Sequence, residues 1–197
     1  MPSFHIETLS AGQVGALYAQ LLVPAFPVSE LKPLAMIEAE LDRGEYVCYG
    51  AMADGAALAA AYFVKIVREG RVIMLFDYFA VREDMRCRGI GGQFLQSLMA
   101  GPLKGMDAVL LEVDEPACAD TPEERRLRER RLRFYLRNGL YDTGALATVY
   151  GVTFRILSLP VGRPLSTDEA RRMYARIYHA VLPPHIYRKR VFIEGLD

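Results

Sequence analysis

Residues 72–100 read VIMLFDYFAV, then REDMRCRGIGG, then QFLQSLMA. The first segment is a nearly continuous run of apolar, β-branched and aromatic residues. It lacks the alternation of a half-exposed strand and reads as a strand buried on both faces, central in a sheet. In the last segment Ile90, Phe94, Leu95, Leu98 and Met99 fall on one helical face. Between them Arg86-Cys87-Arg88-Gly89-Ile90-Gly91-Gly92 makes a glycine-rich turn that feeds the helix. The first N–H groups of a helix have no internal partner, and the helix dipole puts positive potential there. Glycines let a ligand approach that backbone, and arginines match phosphate oxygens in geometry and charge. The turn is expected to hold a phosphate or pyrophosphate.

Two common phosphate loops do not fit. No Gly-Lys-Ser/Thr closes the turn, so nothing is placed for Mg²⁺ as in a Walker loop. The dinucleotide fingerprint wants its first glycine directly after the strand, whereas the charged segment 82–88 intervenes. Arg-x-x-Gly-x-Gly after a strand ending Phe-Ala-Val instead closely resembles motif A of the GNAT superfamily of N-acyltransferases, especially bacterial members reading LDYFAV and RGxGIG. The resemblance implies an α/β fold of the α+β type: a mixed, mostly antiparallel central sheet flanked by helices. It implies acetyl-CoA (coenzyme A) as cofactor, with Arg86, Cys87, Arg88, Gly89, Ile90, Gly91 and Gly92 around the pyrophosphate. Backbone groups of Phe79, Ala80 and Val81 would hold the pantetheine arm.

The rest of the chain agrees with that topology. A strand at residues 4–8 precedes a helix capped by Ser10 that ends before Pro24, then a loop and a second helix with Leu34, Met36, Ile37 and Leu41 buried and Gly44 as its stop. Residues 46–53 and 56–67 form a hairpin across Asp54-Gly55. After the central strand and its helix, AVLLEV at residues 108–113 returns by a right-handed crossover. An arginine-rich helix (residues 123–137) and a hairpin (143–149 and 152–159) follow. Residues 1–165 are expected to make the acetyltransferase domain. Residues 166–197 then form a C-terminal helical extension that opens with the capping box Ser166–Glu169, followed by a last strand at 191–193. That extension either caps the same core or serves a partner subunit, and a homodimer is compatible with it.

Composition bounds the partners. The 197 residues carry 24 Lys+Arg and 24 Asp+Glu, so no net field recruits nucleic acid or a membrane surface. No apolar run approaches the roughly 20 residues that span a bilayer, and no signal-peptide pattern opens the chain, so a cytoplasmic protein is expected. Cys48, Cys87 and Cys118 form neither a close pair nor a metal-ligand spacing, and His5, His179 and His185 stand alone. No metal is expected.

N-acylation needs a held thioester, a deprotonated amine and a proton for the departing thiolate. Phe134-Tyr135-Leu136-Arg137-Asn138-Gly139-Leu140 resembles the family's FY-x-x-x-GF segment, which implies Tyr135 beside the cofactor sulfur as the acid. Leu140 replaces the usual Phe, and Arg128 stands near the place of a common family Asn. Two carboxylates compete as base: Glu112 in LLEV and Asp77 in the central strand. Each is alternatively a buried carboxylate paired with Arg130 or Arg131, and a water chain without a single base is a third reading. The arginine-rich helix, interleaved with Glu123, Glu124 and Glu129, reads as a salt-bridged face. By position in the fold it resembles, Phe26, Pro27, Glu30 and Tyr150 line the acceptor cleft. The expected activity is acetyl transfer by direct attack of a small-molecule or peptide amine. The alternatives are a protein N-terminal or lysine acetyltransferase and a non-catalytic acyl-CoA-binding regulatory module.

Overall fold

The computed structural model describes residues 3–196. The chain runs β1 (His5–Thr8), α1 (Ala11–Leu17), α2 (Leu34–Asp42), β2 (Tyr46–Ala53), β3 (Ala56–Arg68), β4 (Arg71–Val81), α3 (Ile90–Ala100), β5 (Ala108–Asp114), α4 (Pro122–Arg137), β6 (Tyr141–Val149), β7 (Val152–Ser158), α5 (Thr167–Val181), α6 (Pro184–Arg190) and β8 (Val191–Ile193). The strands form one eight-stranded sheet in the order β1-β2-β3-β4-β5-β7-β6-β8. The β1–β2, β2–β3, β5–β7, β6–β7 and β6–β8 pairs are antiparallel. This is the expected α/β architecture of α+β type, mostly antiparallel, with β4 internal to the sheet.

The chain divides into two compact units. The first takes the residues up to Lys65 together with Phe76–Pro102; the second takes Ile66–Leu75 and everything from Leu103 onward. The even charge of the whole chain hides a split. The first unit holds 6 Lys+Arg against 10 Asp+Glu, the second 18 against 14.

In the first unit Ser10 and Gln13 make a reciprocal capping box at α1, and a π-turn (Tyr18–Leu22) carries the helix on to its end before Pro24. At α2 the expected inward face needs correcting. Ile37 is fully buried, but Met36 is 53% exposed and Glu40 is buried in its stead. A buried glutamate is tolerated there because it meets the Lys32 ammonium at 3.3 Å. Phe76, Tyr78 and Ala80 of β4 are buried, while Asp77 and Phe79 are half-buried. On α3, Ile90, Phe94, Leu95 and Leu98 are buried as expected, and Met99 is half-buried. Phe94 stacks on Phe79 of β4, ring centroids 5.9 Å apart.

In the second unit β5 buries Ala108 to Leu111, and Val113. The β6–β7 register shifts between Asp142 and Ala145. Gly144 takes φ +73° at that bulge, and the Thr143 hydroxyl donates to the Ile156 carbonyl at 2.7 Å. Residues 166–196 lie in this unit. Their capping box at Ser166 is present, and Ala170, Met173, Tyr174, Ala175 and Ile177 of α5 are buried. Pro183 and Pro184, which follow the end of α5, start α6, since proline suits the first position of a helix. The last strand is β8, at the expected residues and at the edge of the sheet.

Candidate functional site

The glycine-rich turn has the backbone that an anion site needs. Gly89 is the N-cap of α3 at φ +81°, a left-handed conformation that glycine adopts without strain. Glycine brings no capping side chain, and the first intrahelical bond runs from the Gln93 N–H to the Gly89 carbonyl at 3.1 Å. The amides of Ile90, Gly91 and Gly92 precede it, at the positive end of the helix dipole. Cys87 also sits at positive φ, +60°, so the chain reverses over two left-handed residues. The Arg86 Nε donates to the Val81 carbonyl at 3.1 Å and ties the loop to the end of β4. Arg86, Cys87 and Arg88 are exposed. Beside them a cleft of about 420 Å³ opens between Gln20 to Pro24 and Val81 to Arg86. These residues fit a pyrophosphate: open amides, close backbone and two exposed guanidinium groups.

Asp77 stands in a cluster that sequence reasoning missed. Its carboxylate accepts from the Tyr46 hydroxyl and from the Lys32 ammonium, the latter at 3.1 Å. Lys32 also reaches Glu40 at 3.3 Å and lies 5.0 Å from the centre of the Tyr46 ring. Burial alone pushes the Lys32 ammonium down, but the Asp77 and Glu40 charges outweigh it and hold its pKa above 10.5. Burial, then the Asp77 charge, pushes the Tyr46 phenol well up, so it remains a donor. An arginine partner is thus not what meets Asp77. The residue after it, Tyr78, accepts from the Lys32 N–H at 2.8 Å and donates to the Glu30 carbonyl at 2.9 Å. Phe26 packs edge-on against the same ring, 5.3 Å between centroids. Of the expected acceptor-lining residues, Phe26 is half-buried, and Pro27 and Glu30 are exposed, in a loop fastened to β4 through Tyr78 and Lys32.

Glu112 meets tyrosines. Its carboxylate accepts from the hydroxyls of Tyr174 and Tyr178, the second at 2.6 Å, both on α5. Burial, then the Glu112 charge, pushes the Tyr174 phenol well above its ordinary value. The arginine partner expected for Glu112 has other company: Arg131 bonds to Asp114 at 3.0 Å, and Arg130 makes no ion pair among the described residues. Elsewhere α4 carries much of the expected salt-bridged face, with Arg128 on Glu124 at 2.7 Å and Arg133 on Glu129 at 3.4 Å.

Tyr135 is 8% exposed on α4. Burial pushes its phenol up to about 12, against a smaller opposing pull from Arg131, so at neutral pH it keeps its proton. Tyr150 sits at the β6–β7 turn at φ +50°, 55% exposed. Its N–H donates to the Arg190 carbonyl at 2.8 Å and the Arg190 guanidinium lies over its ring. The structure therefore gathers Asp77, Phe79 to Val81, residues 86–92 and the Phe26–Glu30 loop in the first unit. Glu112, Tyr135 and Tyr150 belong to the second. No group of three or more His, Cys, Asp or Glu side chains among the described residues is placed to hold a metal, and no helix there is long and apolar enough to cross a membrane.

No family model and no curated protein matches the chain. Solved structures do. A protein assigned to the GNAT acetyltransferase family from Bacteroides thetaiotaomicron aligns with a TM-score of 0.67 at 17% identity, covering 90% of this chain and 97% of its own. The GNAT-like decarboxylase GphF, in complex with isobutyryl-CoA, aligns at 0.62 and 16% identity over 80% of this chain and all of its own. A GNAT family acetyltransferase from Elizabethkingia anophelis with acetyl-CoA bound aligns at 0.55 and 17% over 81% and 99%. At these identities the likeness is one of fold: the chain adopts the GNAT fold.

Proposed function

We propose that the protein is an acetyl-CoA-dependent N-acetyltransferase acting on a primary amine of a small molecule or peptide. The observation that carries this reading is the turn between β4 and α3. There a left-handed glycine N-cap, open helix amides and the exposed Arg86 and Arg88 together supply what an anion needs, directly after an internal strand of the sheet. Structural relatives described with acetyl-CoA, isobutyryl-CoA or CoA support the cofactor class.

The cofactor, when bound, supplies an activated acetyl thioester. Residues 86–92 hold its pyrophosphate, and backbone groups of Phe79, Ala80 and Val81 orient the arm that leads from it. The acceptor amine attacks directly, so the chain needs no nucleophile of its own. Tyr135 keeps its proton at neutral pH and donates it to the leaving sulfur. Asp77 is held by a cation and a phenol, and Glu112 by two phenols, so both are carboxylates already provided with donors. Neither can take a proton straight from the amine without giving up a donor already bound to it. A water-relayed proton path is therefore the better reading for deprotonating the amine.

Calorimetric titration with acetyl-CoA, beside dephospho-CoA and NAD, tests the cofactor. A one-site isotherm with acetyl-CoA, absent with NAD, is expected. Gly91→Glu should abolish it while the variant melts like the parent, because a glutamate suits the first turn of a helix but fills the anion site with like charge. No binding by the folded parent, or normal binding by Gly91→Glu, would overturn the assignment. Consumption of acetyl-CoA across an amine panel then identifies the acceptor.

A further inference from the structure

The outermost strand carries a self-complementary sequence. β8 bonds to β6 on one side and is the end of the sheet on the other. The Tyr150 N–H bonds to the Arg190 carbonyl at 2.8 Å and the Glu194 N–H to the Leu146 carbonyl at 3.0 Å, with Phe192 opposite Thr148 between them. This parity turns the backbone groups of Phe192 toward β6 and those of Val191 and Ile193 toward the open edge. The Val191 N–H is taken by Tyr187 and the Ile193 carbonyl by the Leu196 N–H. What remains along the edge is one acceptor, the Val191 carbonyl, and one donor, the Ile193 N–H.

Arg190, Phe192 and Glu194 alternate on one face and all three are exposed, Phe192 at 67%. Neither Arg190 nor Glu194 makes an ion pair among the described residues. The strand is short, which limits any pairing, but Val-Phe-Ile carries neither a charge nor a proline to forbid it. In an antiparallel pairing of this strand with itself, centred on Phe192, Arg190 of one copy falls opposite Glu194 of the other, and the reverse. The free Ile193 N–H then meets the free Val191 carbonyl twice, and the two Phe192 rings face across the non-hydrogen-bonded position, where side chains come closest. Registers displaced by one step along either strand place Arg190 opposite Phe192 or Phe192 opposite Glu194 and lose both ion pairs.

We propose that β8 is a homodimerisation edge that joins two copies across a twofold axis, continuing the sheet through Arg190-Val191-Phe192-Ile193-Glu194. The interface is isologous, as twofold symmetry requires. Stable interfaces bury roughly 1,200–2,000 Å². A strand of three residues supplies little of that, so Tyr150 (55% exposed) and Val152 (40% exposed) on the adjoining turn extend the patch, and association depends on concentration.

Sedimentation velocity over a wide concentration range tests this without substrate or cofactor. The parent should show a concentration-dependent dimer. Arg190→Glu and Glu194→Arg should each weaken it at least about tenfold, because each puts like charges opposite one another. The double swap Arg190→Glu/Glu194→Arg should restore it, and an equimolar mixture of the two single variants should associate although neither does alone. Phe192→Asp should be monomeric with unchanged melting. A monomeric parent at all concentrations, a dimer indifferent to the charge variants, or a double swap no better than the singles would each overturn the proposal.

Discussion

Lys32→Met removes one ammonium and leaves two carboxylates behind, which makes it a sharp test of the cluster on β4. The methionine keeps the length of the stem, so packing changes little. Asp77 retains only the Tyr46 hydroxyl, and Glu40 loses its ion pair. Taking one partner from a fully buried pair costs ~3–5 kcal/mol, since a charge is left without its counter-ion. Here the side chains of Lys32, Asp77 and Glu40 are 21%, 19% and 12% exposed, so water reaches the cluster. Discounting for that gives about 2–3 kcal/mol, or roughly 4–12 °C in Tm for a chain of this size. Urea unfolding followed by far-UV circular dichroism measures it. Lys32→Met/Asp77→Asn should recover at least ~1 kcal/mol relative to the single variant, because one stranded charge has gone. The sign of the pH dependence follows from the raised pKa of Lys32. Its contribution is complete below pH 10.5 and fades as pH rises through the higher folded value, so the gap between parent and variant should close only in strong alkali. A variant within about 0.5 kcal/mol of the parent, or a strictly additive double variant, would refute the reasoning.

Tyr135→Phe should keep acetyl-CoA affinity within about twofold and slow transfer by roughly 10²-fold, read by single-turnover kinetics; unchanged turnover removes the phenol from the acid role. At α5 the Arg163 side chain, then the Ser166 amide, hold the Glu169 carboxylate at about 2 against an ordinary 4.5. Its folded value is the lower one, so the stability it lends is present above pH 4.5 and lost as pH falls toward 2. Thermal melts of Glu169→Gln should show a flatter acid limb in that window and converge with the parent at its lower end; parallel curves would sink the idea.

Local signals carried the sequence reading. A buried strand, a glycine turn and an amphipathic helix in register (residues 72–100) are all written within one short segment, and so are the capping boxes at Ser10 and Ser166. What the sequence withheld lies in pairs that are distant along the chain. Lys32 meets Asp77 across 45 positions, and Glu112 meets Tyr174 and Tyr178 across 62 and 66. No periodicity marks either end of such a pair. At helical spacing Tyr174 and Tyr178 look like two more apolar positions beside Met173 and Ile177, and only the carboxylate that meets them shows that their hydroxyls matter. The exchange of Met36 for Glu40 on the inward face of α2 has the same origin, since the lysine that makes burial of Glu40 tolerable comes from the preceding loop.

The interleaving of the two units bears on the order in which the chain can fold as it leaves the ribosome. Every residue of the first unit has been made once Pro102 is out, yet by then the segment Ile66–Leu75 of the second has also emerged. Domains tend to fold as units in the direction of synthesis. The tip of the β3–β4 hairpin must therefore wait, with Ile73, Met74 and Leu75 uncovered, until β5 and its neighbours arrive. During that interval these apolar side chains are exposed surface of the kind that makes partly folded chains prone to aggregate.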